Sequence, residues 1–409
     1  MSIGFDPVVS SFLFSASLIP HAARPKAALE SPSDCQGDSC IEPPFVTVIV
    51  ALYREKWDDI QMTIDSLLRQ TQPRDRFEVL LAVEARDASI HPLAEAGVRQ
   101  LQAAGIGSRM VVSDGGRRLK AYALNGAIRM AQGEICAFYD ASDDIDPRQI
   151  EQAALLMREK SYDAVQATVL RKGRSVLSEF LLIDTAFWFR KYIPFVLGLA
   201  QGMPLSGEGL FVRTSVLNEV GGFPEVLTED AYLGILLTER NKRFGLLSSV
   251  ITEKAPRNIR AHFVQRLRWN RGYLTCLVRL ARAKLSLKRK CALALPFLTP
   301  LSCSLAFLGW ILILGQWTLS ALGGVVIPDM TVALVRHPVY AQVMYSWAAL
   351  LFYCGIPLCV ASYIHTLWVV GMRRSLPFVV LLPYYWTFIG LAATCSFFKN
   401  TTDWGRTER

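Results

Sequence analysis

The sequence predicts an α/β protein: a parallel, Rossmann-like sheet flanked by helices, followed by a C-terminal block of transmembrane helices. Three observations lead there. Between Val46 and Lys290, short β-branched apolar runs alternate with stretches of helical spacing, the pattern of a parallel sheet with right-handed crossovers. From Cys291 to Phe398 the chain is mostly apolar and aromatic, with few charges. The 409 residues exceed one ordinary soluble domain, 52% of them are hydrophobic, and the mean hydropathy is positive.

The elements follow in order. "VVSSFLFSASLIP" near the start is apolar but shorter than the ~20 residues of a spanning helix. No Lys or Arg precedes it, so it reads as an interfacial or loosely ordered segment rather than a signal peptide. Residues 21–44, rich in Pro, Ser, Asp and Ala, read as a linker. "FVTVIVAL" (45–52) is β-branched and apolar without alternation, as expected of a strand buried on both faces. "DDIQMTIDSLLRQ" (58–70) places Ile60, Ile64, Leu67 and Leu68 on one helical face. "FEVLLAVEA" (77–85) is a second buried strand, "LAEAGVRQLQAAG" a helix that stops at Gly105, and "RMVVSD" a short third strand. "KAYALNGAIRMAQG" (120–133) is a helix with Gly133 as its stop, and "EICAFYD" (134–140) is the fourth strand. Parallel sheets bind ligands at the carboxyl ends of their strands. Glu84, Asp87, Asp114 and Asp140 all fall at or just after such ends.

The net charge of +9 is uneven. Between Arg240 and Lys290 lie fifteen Lys/Arg and one acid, Glu253. Such a run attracts nucleic acid, phosphate groups or anionic lipid. It directly precedes the first long apolar segment, so the positive-inside rule makes it a cytoplasmic flank. No nucleic-acid recognition motif accompanies it, and no nucleic-acid partner is expected. Beyond it, spans are expected at Cys291–Leu314, Tyr340–Val370 and Leu376–Phe398. A weaker stretch, Gln316–Val335, is interrupted by Pro328 and Asp329. Arg373 and Arg374 mark a cytoplasmic turn. A cytoplasmic tail "KNTTDWGRTER" requires an even number of crossings, which favours four over three. The division expected is a segment and linker over 1–44, a cytoplasmic catalytic domain over 45–290 and a multi-pass membrane region over 291–409. The nine cysteines are scattered, several in the apolar part, where they pack as small hydrophobes. Cys35 and Cys40 match no zinc or redox spacing, and a reducing compartment fits the catalytic region.

Three constellations carry chemistry. In "FYDASDDIDP", side chains at i and i+2 of a strand end point to the same side, and two oxygens there can hold Mg²⁺ or Mn²⁺ against a diphosphate. Asp140 is placed for this; the i+2 residue is Ser142, and Asp143 serves only if the turn rotates it inward. An acidic turn that caps the next helix is the alternative. In "VLTEDAYLGILLTERNKRFG" (226–245), Glu229 and Asp230 start a helix, where the dipole alone favours acids. That dipole keeps a pKa low, whereas a general base works best near neutrality. In "HFVQRLRWNRGY" (262–273), Gln265, Arg268 and Trp269 share one helical face. Arg pairs with phosphate oxygens and Trp gives a flat platform; a basic helix lying on a membrane surface, with Trp269 at the interface, is the alternative.

An acidic strand end, then "TED", then "QRLRW", then membrane spans resembles the membrane-embedded family 2 glycosyltransferases, which include cellulose, chitin and hyaluronan synthases and ceramide glucosyltransferase type enzymes. "VTVIVALYRE", "KAYALNGAI", "SGEGLFVRTSVLNEVGGF" and "DWGRTER" add to the resemblance, which runs from Pro44 to the C-terminus. It implies a GT-A-like catalytic domain and transfer of a sugar from a nucleotide-sugar, with UDP-sugar expected, to a glycan or lipid-linked acceptor at the bilayer. Glu84 and Asp87 would face the nucleotide base, Lys120 would bind the donor, and Asp140, with Ser142 and Asp143, would hold Mg²⁺ or Mn²⁺. Asp230, beside Glu229, would be the general base, and Gln265, Arg268 and Trp269 would hold the leaving diphosphate and the acceptor sugar. One displacement inverts the anomeric centre and forms a β-linkage. The chain departs from the family at Glu84–Ala85, where Asp-Asp is usual, and at Ser142, where a second Asp is usual. The competing readings are single addition to a lipid rather than processive synthesis, and an inactive nucleotide-binding scaffold. A transporter is disfavoured by the few ionisable residues in the apolar segments.

Overall fold

The computed structural model describes residues 28–32, 42–114, 119–305, 307, 308, 311, 318 and 356–398. The apolar stretch at 8–20, Cys35, Cys40 and the tail after Phe398 lie outside these, as does nearly all of Gln316–Val335.

The predicted βα alternation appears as β1 (Val46–Leu52), α1 (Trp57–Leu68), β2 (Phe77–Glu84), α2 (His91–Ala103), β3 (Gly107–Ser113), α3 (Lys120–Ile128) and β4 (Ile135–Asp140). All three pairings among these strands are parallel. The apolar runs are continuous because helices cover both faces. Alternate residues Val46, Val48, Val50 and Leu52 of β1 pack with Ile60, Ile64 and Leu67 of α1. The intervening Ile49 and Ala51 pack with Ala121, Leu124 and Ala127 of α3 on the other side. Gly105 adopts a φ of +80°, as the stop after α2 requires. The third predicted helix ends earlier than its pattern, at Ile128. Gly133 is instead the residue where the chain passes Thr47 so closely that a Cβ would lie 2.5 Å from the Thr47 amide nitrogen.

The second half departs from the all-parallel expectation. After β5 (Asp144–Ile145), α4 (Gln149–Glu159), β6 (Ala164–Lys172), α5 (Val176–Phe187) and α6 (Ile193–Ala200) come β7 (Leu210–Arg213), α7 (Thr214–Val220), α8 (Glu229–Glu239) and β8 (Phe244–Lys254). The sheet order is β3-β2-β1-β4-β7-β6-β8-β5. β7 runs antiparallel to both β4 and β6, so the sheet is mixed. Part of the expected linker also joins it: Glu30 forms a parallel bridge with Leu247 of β8.

The chain continues into α9 (Ile259–Arg282), α10 (Leu287–Phe297), α11 (Ile356–Val370) and α12 (Leu382–Phe398). Asn258 caps α9 by accepting from the Ala261 N–H at 2.8 Å. A third apolar cluster, with Ile183, Phe187, Cys276, Leu293, Phe297, Leu367, Tyr385 and Ile389, packs α5, α9 and α10 against α11 and α12. Among the described residues one helical stretch, Arg373–Phe398, is long and apolar enough to cross a membrane, and Pro357–Val370 is a shorter apolar helix. The expected span from Cys291 is described only to residue 305, with scattered positions beyond. Its first helix is interrupted at Leu298.

Candidate active site

Sheet register fixes the first part of the site. Asp140, the last residue of β4, lies level with Ala51 of β1, at the carboxyl edge of the parallel half. Lys120 opens α3 and pairs its ammonium with the Asp140 carboxylate. Burial would lower the Lys120 pKa, but the carboxylates of Asp140, Glu229 and Glu208 outweigh it and raise it, so the side chain stays charged.

The segment between α6 and β7 brings the next residues in. Gln166 on β6 accepts from the Ser206 N–H at 2.9 Å and donates to the Glu208 carbonyl at 2.8 Å. Gly209 follows with φ +62° and donates to the Phe138 carbonyl. This places the Glu208 carboxylate beside those of Asp140 and Glu253, the three within 4.8 Å of one another. Arg171, at the end of β6, sits 2.5 Å from Glu253 and 3.6 Å from Glu208. Burial, then the neighbouring Glu253, raises the Glu208 pKa.

"TED" forms the start of α8. The Asp230 Oδ1 accepts from the Ala231 N–H at 2.7 Å. Gly207 lies between its carboxyl and the Lys120 ammonium: a Cβ there would be 3.4 Å from Asp230 Oδ2 and 3.1 Å from Lys120 Nζ. Burial raises the Asp230 pKa despite the opposing Ala231 amide, Lys120, Arg268 and Gly207 amide. Desolvation thus outweighs the hydrogen bond from the helix-start Ala231 amide. Glu229, deeper, is raised to about 8 by burial and by its neighbour Asp230.

"QRLRW" reaches the same place because α9 crosses α8 at close range. A Cβ on Gly272 would lie 2.3 Å from Thr228 Cγ2, and Thr228 also touches the Cys276 sulfur at 3.6 Å. Gln265, Arg268 and Trp269 therefore face Glu229 and Asp230 across one cavity of about 370 Å³. Its polar end holds Lys120, Asp140, Arg171, Glu208 and Asp230. Its other end is walled by Phe187, Trp188, Tyr363, Tyr385, Trp386 and Ile389.

The structure gathers Lys120, Asp140, Glu229, Asp230, Gln265, Arg268 and Trp269, and it places the remaining predicted residues elsewhere. Ser142 has φ +72° and its N–H donates to the Asp59 carbonyl. The turn does not rotate Asp143 toward the cavity; its carboxylate folds back and accepts from the Asp140 N–H at 2.8 Å. Both are fully buried and neither lines the cavity. The carboxylates grouped with Asp140 are instead Glu208 and Glu253. Glu84 and Asp87 sit at the ends of β2 and its following turn, where Asp87 accepts from the Arg54 N–H at 2.6 Å and from Ser89 at 2.7 Å. Asp114 is exposed beyond β3. Arg171 and Glu208 join the site although neither is among the residues predicted from the sequence. Glu253 had a signal, as the lone acid among fifteen basic residues between Arg240 and Lys290.

Five buried or half-buried carboxyls, those of Asp140, Glu208, Glu253, Glu229 and Asp230, thus surround three cations, Lys120, Arg171 and Arg268. Carboxylate oxygens with excess negative charge are the donor set of a hard divalent ion, so the residues present fit Mg²⁺ or Mn²⁺.

This sequence is similar to those of known proteins. The profile of Glycosyl transferase family group 2 matches residues 137–395, and that of Glycosyl transferase family 2 matches residues 47–218. A β-monoglucosyldiacylglycerol synthase of Trichormus variabilis is 24% identical over 308 residues, covering 72% of this chain and 59% of that protein. The probable glycosyltransferase YdaM of Bacillus subtilis is 23% identical over 266 residues, covering 61% and 60%. Cellulose synthase 2 of Novacetimonas hansenii is 26% identical over 56% of this chain and 14% of its own length. The chain thus spans about 60% of the length of the first two of these relatives. Among solved structures, the mannosyltransferase PcManGT of Pyrobaculum calidifontis, in complex with GDP-Man and Mn²⁺, aligns with a TM-score of 0.57 at 20% identity. The alignment covers 88% of this chain and 98% of that one. That likeness shows the GT-A fold, the family match covers well over half of the chain, and the chain belongs to the family 2 glycosyltransferases.

Proposed function

We propose that the chain moves one sugar from a nucleoside diphosphate donor, with UDP-sugar expected, to a hydroxyl of a lipid-linked acceptor at the bilayer, with inversion. The observation that carries this is one shared cavity: the Asp230 carboxyl lies in a polar end suited to a diphosphate, and the same cavity runs on to an aromatic, apolar end built partly by α11 and α12. Asp230 takes the proton of the acceptor hydroxyl as that oxygen attacks the anomeric carbon. The bond from that carbon to the diphosphate oxygen breaks, and the nucleoside diphosphate leaves with the electron pair. Burial supports the base assignment, because it moves the Asp230 pKa upward, toward the working range of a base. Lys120 and Arg268 supply positive charge where the leaving group gains negative charge. Asp140 and Glu208 would hold Mg²⁺ or Mn²⁺, which when bound neutralises diphosphate oxygens. Asp140 keeps Lys120 charged, Gln265 lines the acceptor side and Trp269 offers a face to the acceptor sugar. In this reading residues 45–290 form the cytoplasmic catalytic domain and the helices after 290 attach it to the membrane in several passes.

Processive synthesis of a polysaccharide is the second reading, favoured by the same aromatic walls, on which sugar rings stack. The experiment that divides the two uses membranes containing the full chain, radiolabelled UDP- and GDP-sugars, and Mg²⁺ or Mn²⁺. Label in the lipid-extractable fraction supports single addition. Label in an insoluble polymer supports the second reading, and no turnover of any donor contradicts both.

A further inference from the structure

We infer that Arg171 and Arg266 are positioning residues that clamp the Trp269 indole and tie it to both ends of the cavity. The Arg171 guanidinium lies 4.8 Å from the centre of the Trp269 ring and that of Arg266 lies 5.0 Å from it. Cations over an indole face are attracted by the ring quadrupole, more strongly where water is excluded. The two arginines are themselves held from different directions. Arg171 comes from β6 and is anchored by Glu253 at 2.5 Å and Glu208 at 3.6 Å. Those carboxylates sit with Asp140. Arg266 lies three residues before Trp269 on α9. It pairs with Asp184 of α5 at 2.5 Å and donates to the Tyr385 hydroxyl of α12 at 3.0 Å. The same hydroxyl is 3.2 Å from His262 Nε2. One support of the indole therefore runs to the acidic end, and the other to the C-terminal helix. A cation that engages the acidic end competes with Arg171 for Glu208 and Glu253, and so alters its hold on Trp269. By linkage, the state of Trp269 alters cation affinity in return. A lysine in place of Arg171 keeps the charge against both glutamates and loses the planar surface that stacks.

The inference rests on the proposed function only in taking Trp269 as the acceptor platform; the clamp itself is measured without substrate. The full chain in detergent is labelled with 5-fluorotryptophan, and the Trp269 resonance is assigned by its loss in Trp269→Phe. Its line is recorded with and without Mg²⁺ as the only added ligand. In the native sequence Mg²⁺ is expected to shift it. In Arg171→Lys the line is expected to move, to broaden at least twofold, and to lose its response to Mg²⁺, while the thermal midpoint stays near the native value. Tyr385→Phe, which removes one hydroxyl, is expected to broaden the line and leave the response to Mg²⁺. It decides the clamp should Arg171→Lys not fold. A Trp269 line unchanged in whichever of these variants folds overturns the clamp. A native line that ignores Mg²⁺, or an equal response in Arg171→Lys, overturns the coupling. Absence of sugar transfer in the donor screen leaves these lines readable, so the two failures are distinguishable.

Discussion

The two acidic stretches of this chain, "FYDASDD" and "TED", look alike in sequence and end in different environments. The first contributes one side chain to the cavity, Asp140. Its turn passes through Ser142 at φ +72°, and Asp143 is used internally on the Asp140 N–H. The second starts a helix, where backbone amides compete with the side chain for a role. Asp230 gives Oδ1 to the Ala231 N–H, and its carboxyl still lines the cavity. Carboxyl count in a motif is therefore a poor guide to ligand count. The backbone conformation next to each acid decides which way it faces.

Three substitutions separate the two stretches, in falling order of effect. Asp230→Asn should lower initial rates of transfer by roughly 10²–10⁴-fold, the usual contribution of a positioned base, with the thermal midpoint held. Rates within tenfold of the native enzyme would remove Asp230 from that role. Glu229→Gln should change the pH dependence of stability. The Glu229 pKa is raised by burial and by Asp230 from 4.5 to about 8. Between those values the folded protein keeps a proton that the unfolded chain has released, so stability falls as pH rises through that window. The glutamine has no such loss. Its thermal midpoint should therefore gain on the native one from pH 5 to pH 8 and run parallel above; a constant difference would place Glu229 outside the buried cluster. Ser142→Gly should have the smallest effect. A glycine adopts positive φ without Cβ strain but loses more chain entropy on folding. The net change in unfolding free energy by denaturant titration should stay within ~1 kcal/mol. A much larger loss would show that the Ser142 side chain supports the turn.

The same contrast explains what was legible in the sequence. β1, β2 and β4 could be read because burial on both faces leaves uninterrupted apolar runs. "TED" and "QRLRW" could be read because each is a short local motif, one at the cap and first turn of α8 and the other on α9, and Gly272 against Thr228 joins the two helices. Glu208 and Arg171 could not, and Glu253 showed only as the lone acid in a basic stretch. They come from a bend before a four-residue antiparallel strand and from the ends of β8 and β6, and only sheet order brings them to Asp140. The direction of β7 is set by long-range pairing with β4 and β6, which no local pattern records. The upward shift of Asp230 depends on burial by distant segments. A helix-start motif read alone points the other way.

In the proposed reaction, donor and acceptor meet in the cavity between Asp140 and Trp269. Crystals grown with Mn²⁺ and UDP test it most directly, through the anomalous signal of the metal. A Mn²⁺ peak is expected within coordination distance of Asp140 and Glu208, with the diphosphate in the cavity near Arg268. A peak on Ser142 and Asp143, or a nucleotide bound outside the cavity, would contradict it.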